Sequence, residues 1–362
     1  MRVLIDITHP AYLHFFRHAI KRLQSEGHEL CLTGRDKDIL RPLAEEYEIG
    51  ANREVVSSAL RIIYFGRTPQ NLLDMFSQWF MREIWLAGVI KKFKPDVIAA
   101  CAGTFTALLG KLIRIPTIVF YDTENDVVSN WMTYPFATRI CVPECYLDKN
   151  IPRNVRYAGY HSLAYLHPDQ FTPDPKVLNE LGLKPDESYA VVRFVGWKAG
   201  HDLGKKGLTT AQKISAVQEL AEYGRVFISS EGELPEELVR FRFPLRYSRM
   251  HDAIAFASLV FGESSTMCSE AAVLGVPSVF IYPRVKRGYT QEQSEKWKIV
   301  FWYSPNEFGQ ALEKAAELMR ADDAACRKAI GKQIVESSVN VADFICGQIL
   351  DFAPHNKSAR SY

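Results

Sequence analysis

The sequence is poor in features that identify several large classes of protein. No stretch reaches the roughly 18 to 20 consecutive apolar residues of a membrane-spanning helix, so no transmembrane segment is expected. The 44 lysines and arginines are dispersed among 42 acidic residues, a net charge of +2 without a basic block, which gives no case for a nucleic-acid partner. The 7 cysteines contain no CxxC pair. Cys141 and Cys145 come nearest, with no histidine or second pair to complete a zinc site, so no metal is expected. The N-terminal MRVLIDITHP reads as a strand rather than a targeting segment. With an odd cysteine count, this leads us to expect reduced thiols and a cytoplasmic protein.

What is present describes a soluble α/β protein. A length of 362 residues suits two domains, and a chain 47% hydrophobic and 24% charged is globular in composition. Short apolar strands alternate with helices from the start. Strands are expected at Val3 to Ile7, His28 to Thr33, near Glu54 to Ser57, Val97 to Cys101, Thr117 to Tyr121 and Ile140 to Val142. Helices are expected at Tyr12 to Glu26, Asp38 to Tyr47, Pro69 to Phe93 and Gly103 to Ile113. Prolines 168, 173, 175 and 185 interrupt the pattern between Tyr160 and Glu187, which reads as a connection between domains. The alternation restarts with strands at Tyr189 to Phe194, Arg225 to Ser229, Leu259 to Phe261 and Ser278 to Tyr282. Helices are expected at Thr210 to Glu222, His251 to Ala257 and Met267 to Leu274, and again from Pro305 to about Leu350, before a polar tail from Pro354. The expectation is two facing Rossmann-like domains, 1–165 and 186–335, each with a parallel sheet. A helix at about 338–352 returns to the first, and ligands are expected in the cleft at the strands' carboxyl ends.

Four strand ends carry candidate chemistry. FGESSTMCSEAAVLGVP runs from a strand into a helix N-terminus, whose unpaired N–H groups and positive dipole end suit a diphosphate. Gly262, Ser264, Ser265 and Thr266 form that turn, Glu270 lies one turn in, and no Walker lysine is present, which argues against a P-loop NTPase. The competing reading is ordinary N-capping, with Glu270 in a capping box. The segment after Arg193, with Gly196, Lys198, His201 and Lys205, is glycine-rich and cationic, and would supply phosphate oxygens with the charge the turn lacks. In DITHPAYLHFF, Asp6, His9 and His14 gather where the first strand meets the first helix, and either histidine is a candidate base. In FYDTEND, Asp122 and Glu124 are candidate acids or bases, against helix capping by Asp122 or Asn125. Met75 to Ile90 is rich in Trp and Phe, with Arg61, Arg67 and Arg82 nearby. It reads either as a packed helix or as a face resting on lipid.

On DITHPAYLHFF, KPDVIAACAG, FYDTEND, VVRFVGWKAGHDLGKKGL, ISSEGELPEEL and GESSTMCSEAAVLGVPSV, the chain resembles the family called domain of unknown function 354. It departs from that family's pattern at Tyr12, where His is often found. More broadly it resembles the GT-B superfamily. SSTMCSEAAVLGVP is similar to the donor segment of the N-acetylglucosaminyl transferases that make lipid II, and the same architecture serves UDP-N-acetylglucosamine 2-epimerases. The resemblance implies diphosphate contacts from Ser264, Ser265 and Thr266 and a ribose contact from Glu270. Ser230, Glu231 and His251 are expected on the same nucleotide-sugar side. It implies a metal-independent glycosyltransferase using a UDP-sugar as donor substrate, with no cofactor, in which His9 or His14 deprotonates the acceptor and Asp6, Asp122 or Glu124 assists. The acceptor would be a glycan or a lipid-linked precursor, with peripheral contact at the membrane's inner face. An epimerase or hydrolase of the nucleotide-sugar is the alternative, and a non-catalytic nucleotide-sugar-binding protein the third.

Overall fold

A computed structural model describes residues 1–35, 39–49, 62–66, 72–184, 186–196, 207–283, 285 and 287–353. The chain divides into two compact units, Met1–Tyr165 with Val339–Tyr362, and Leu166–Ser338. The first unit alternates β1 (Arg2–Ile7), α1 (Pro10–Ser25), β2 (Glu29–Gly34), α2 (Leu40–Glu46), β3 (Ile62–Tyr64), α3 (Leu72–Phe93), β4 (Val97–Cys101), α4 (Ala107–Ile113), β5 (Thr117–Phe120), α5 (Val127–Thr133), β6 (Arg139–Pro143) and β7 (Asn154–Tyr157). α6 (Leu163–Leu166) ends at the boundary and α7 (Lys176–Glu180) opens the second unit. There β8 (Tyr189–Phe194), α8 (Thr210–Ala221), β9 (Arg225–Ser230), α9 (Met250–Ala255), β10 (Leu259–Gly262), α10 (Ser265–Val273), β11 (Ser278–Ile281), α11 (Gly288–Glu295) and β12 (Val300–Tyr303) follow. α12 (Phe308–Arg320), α13 (Ala324–Glu336) and α14 (Val341–Leu350) complete the chain.

Both sheets are parallel throughout, in the orders β3-β2-β1-β4-β5-β6-β7 and β12-β11-β10-β8-β9. Central strands such as β4, β5, β10 and β11 are buried along their length because helices cover both faces. In the first unit Leu86 and Ile90 of α3 pack with Leu4 and Ile98, while Phe15 and Phe16 of α1 meet Phe120. In the second, Ala216, Val217 and Leu220 of α8 and Ala311, Ala315 and Leu318 of α12 share a core with β8 to β11. α14 lies on α1, with Arg22 paired to Asp343 and Arg139 to Asp351. Strand order reverses between β1 and β4 in one sheet and between β8 and β10 in the other. In each unit by itself, such a reversal is the place where an open parallel sheet takes a ligand, beyond the strands' carboxyl ends.

The alternation expected from sequence is found, with differences at the edges. β3, β7 and β12 are additional strands. All three are edge strands with only one residue buried, so none shows the fully apolar pattern of a central parallel strand. α5 and α11 are also additional, and the helical stretch after Pro305 divides into α12, α13 and α14. The strand expected near Glu54 to Ser57 and the tail from Pro354 lie outside the described residues.

Candidate functional site

The β8/β10 reversal point is built around Gly262. Its φ of 143° and its closeness to β8 leave no room for a side chain, since a Cβ would lie 2.1 Å from the Arg193 carbonyl oxygen. Gly262→Ala should therefore part β8 from β10 and destabilise the second unit by about 3 kcal/mol or more, read as a lower denaturant midpoint. Glu263 follows and is buried. Its carboxylate accepts from the N–H groups of Val195 at 3.2 Å and Leu208 at 2.7 Å, with Lys213 Nζ at 3.7 Å. Lys198, His201 and Lys205 fall between those amides and lie outside the described residues.

Ser264 is the N-cap of α10, its hydroxyl accepting from the Met267 N–H at 3.3 Å. Glu270 is not part of a capping box; it reaches sideways to α9, where its Oε1 lies 3.1 Å from His251 Nε2, both residues being buried. Thr266 is exposed at the turn, and Ser269 accepts from Gln293 Nε2 of α11 at 2.9 Å. Ser265 is buried, and its Oγ receives hydrogen bonds from Arg287 Nη1 and, at 2.8 Å, from the Tyr289 hydroxyl. The Arg287 guanidinium is itself buried and stands 5.1 Å from the centre of the Tyr282 ring.

The cation that meets the start of α10 is thus Arg287, from the segment after β11, a residue outside every motif singled out above, while Lys213 stands by Glu263. Arg193, expected to supply that charge, is held elsewhere: it donates to Ser229 Oγ at 2.7 Å and pairs with Glu231 at 2.6 Å. Glu231 also accepts from the Gly196 N–H at 3.0 Å, and Ser230 donates to the Gly232 carbonyl at 3.0 Å, so this side of the reversal is an internal network. The signal for Arg287 was present in YPRVKRGYT, a basic segment at a strand's carboxyl end.

In the first unit, Asp6 is buried and its Oδ1 accepts from Arg82 Nη2 at 2.6 Å and Thr33 Oγ1 at 2.7 Å. Arg82 also donates to the carbonyls of Gly34 and Phe65. An internal ion pair, rather than a solvent-facing carboxylate or a lipid-facing cation, is where these two residues lie. Arg61 and Arg67 fall outside the described residues, while Phe80, Met81 and Ile84 of α3 are exposed. His9 is exposed and caps α1, its Nδ1 accepting from the Ala11 N–H at 3.2 Å. His14 Nδ1 lies 3.3 Å from the Tyr47 hydroxyl, and its ring packs on Tyr165.

The segment after β5 is tied down residue by residue. Tyr121 donates to the Ala102 carbonyl, Glu124 accepts from the Leu147 N–H at 3.0 Å, and Asp126 caps α5. Asp122 keeps about a third of its side chain, 34%, in solvent, and its Oδ2 lies 3.4 Å from His161 Nδ1. Sequence reasoning missed His161 because it follows β7, the unrecognised edge strand. Its ring lies between Phe15 and Tyr157, and burial pushes its pKa down, opposed by the Asp122 carboxylate.

Two parallel-sheet α/β units of this kind define the GT-B type of fold. The solved UDP-GlcNAc 2-epimerase of Neisseria meningitidis, bound to UDP-GlcNAc, matches 97% of this chain and 100% of its own with a TM-score of 0.67 at 13% identity. The chain belongs to the family described as protein of unknown function (DUF354), whose model matches residues 1–298. It is 25% identical over 309 residues to an uncharacterized protein of Methanocaldococcus jannaschii, covering 82% of this chain and 86% of the relative. It is also 25% identical over 226 residues to the UDP-N-acetylglucosamine--N-acetylmuramyl-(pentapeptide) pyrophosphoryl-undecaprenol N-acetylglucosamine transferase of Geobacillus thermodenitrificans. That match covers 61% of this chain and 59% of the relative.

Proposed function

We propose that the protein is a glycosyltransferase that takes a sugar from a UDP-sugar and passes it to a hydroxyl of a glycan or lipid-linked acceptor in envelope polysaccharide synthesis. The observation that carries this reading is the buried Arg287 against Ser265 at the N-terminus of α10. An arginine and the positive end of a helix dipole stand together there, a combination that suits an anion such as a diphosphate. The same groups would stabilise a departing diphosphate in place of a bound metal, which is electrostatic preorganisation of the site. Glu270, on the same helix and oriented by His251, is the candidate ribose acceptor. Similarity to the transferase of Geobacillus thermodenitrificans supports the sugar-transfer chemistry.

An acceptor presented at a membrane agrees with α4 and α5, which pack together and expose Leu112, Val127, Val128 and Trp131, with Lys111 and Arg114 as the charged residues of the α4 segment. We read this as a peripheral contact with the inner membrane face.

An epimerase acting on the nucleotide-sugar itself is the second reading, favoured by the likeness to the Neisseria meningitidis epimerase. One experiment separates the two: the protein is incubated with UDP-N-acetylglucosamine alone and with added membrane extract. Release of UDP that requires the extract is the expected result. A 2-epimer or free UDP formed without the extract would replace the transferase reading.

A further inference from the structure

The carboxyl ends of β5 and β7 bring together two groups that nothing above assigns as a unit. Asp122 is the partly exposed one, with Oδ1 accepting from Thr123 and Oδ2 facing His161 Nδ1 at 3.4 Å. His161 stands behind it, between the rings of Phe15 at 4.3 Å and Tyr157 at 6.5 Å, and its Nε2 has no hydrogen-bond partner among the described residues. Among the described residues, the charged group recorded beside it is Asp122. The enclosing rings fix its orientation, with Nδ1 on the side of the Asp122 carboxylate.

We propose that Asp122 is the group that takes the proton from the acceptor hydroxyl, and that His161 is the positioning residue that orients Asp122 and sets its strength as a base. The proposal rests on the transferase reading. In the step it describes, the acceptor oxygen bonds to the anomeric carbon while the bond from that carbon to the diphosphate oxygen breaks. The electron pair leaves with the nucleoside diphosphate, and the acceptor proton moves to the Asp122 carboxylate. The roles of the familiar histidine–aspartate pair are inverted here: the carboxylate meets the substrate and the imidazole is internal.

The surroundings suit this division. The ionisable groups that feel the Asp122 charge are Tyr12 of α1, Cys101 of β4 and Tyr157, with Tyr121 and Asp126 near Tyr12, and Cys141 of β6 and Cys145 near Tyr157. Burial pushes Tyr12, Tyr157 and Cys101 well up and Cys141 up to about 12, so these stay uncharged at neutral pH. Asp126 accepts from the Ser129 N–H at the start of α5. Burial lowers the His161 pKa below 6.5, so the imidazole is neutral when Asp122 must accept a proton. At lower pH the imidazole takes up a proton and places a positive charge beside Asp122.

The test uses three variants of the full chain, each checked for an unchanged melting temperature, and reads UDP release from UDP-N-acetylglucosamine with membrane extract. Asp122→Asn is expected to lose on the order of 10² to 10⁴-fold in turnover while UDP affinity by calorimetry is unchanged. His161→Ala should lose about tenfold or more, and His161→Asn, whose amide can still donate to Asp122, should recover part of that loss. Wild type should lose activity as pH falls below 6.5, and this acid limb should flatten in His161→Asn. NMR titration of His161 in the unliganded protein should show its pKa falling further in Asp122→Asn, because the charge that opposes burial is gone. Full turnover in Asp122→Asn, an unchanged acid limb in His161→Asn, or a His161 titration indifferent to Asp122 would each overturn the proposal. If wild type binds no UDP, the transferase reading fails, and the pair is judged on the titration alone.

Discussion

Arg287→Ala should weaken UDP binding by roughly 10- to 100-fold, because a hydrogen bond to a charged partner contributes about 1.5–3 kcal/mol. The loss should fall on the diphosphate, so uridine itself should bind both proteins equally. Arg287→Lys keeps the charge but not the planar fork, which could meet Ser265 and a phosphate group together, and should restore only part of the affinity. Calorimetry with uridine, UMP and UDP separates these cases. Equal UDP affinity in Arg287→Ala would remove the turn before α10 as the diphosphate site. Glu270→Ala is the companion measurement, expected to weaken uridine and UDP alike through the ribose. The two variants therefore divide the ligand between the helix start and the position facing His251.

Arg82→Ala should destabilise the first unit by about 3–5 kcal/mol, since it leaves the Asp6 carboxylate buried without its cation. The same change removes the donor to the Gly34 and Phe65 carbonyls and empties the space over the Phe105 ring, 4.9 Å from the guanidinium carbon. Glu83 adds to the penalty. Burial, and then the Asp6 charge, already push it up to about 7, with Arg82 opposing them. Asp6→Asn combined with Arg82→Leu should be far milder than Arg82→Ala, because no charge is then stranded in the core. Urea unfolding followed by a first-unit probe such as Trp85 fluorescence reads the difference. A loss below about 1 kcal/mol in Arg82→Ala would mean that water reaches Asp6, contrary to its 3% exposure.

The legible parts of this protein are those whose physics is local. Buried parallel strands are short apolar runs, helix starts carry capping residues, and turns need Gly262 or its like, so the strand–helix alternation and the β10–α10 turn follow from neighbours in the chain. Edge strands are less legible because one face is in water: β7 and β12 each bury one residue, and the histidine that follows β7 went unseen with it.

By itself the sequence determined two α/β units and a polar turn before α10 suited to an anion, since period, capping and glycine geometry act over a few residues. Only the tertiary structure decided which charges meet. Asp6 joins Arg82 across 76 residues, Asp122 faces His161, and Arg287 rather than Arg193 stands at Ser265. Each of those partners sits at the end of a different strand or on a covering helix. Their distances follow from strand order and register, which the packing of both sheets sets together.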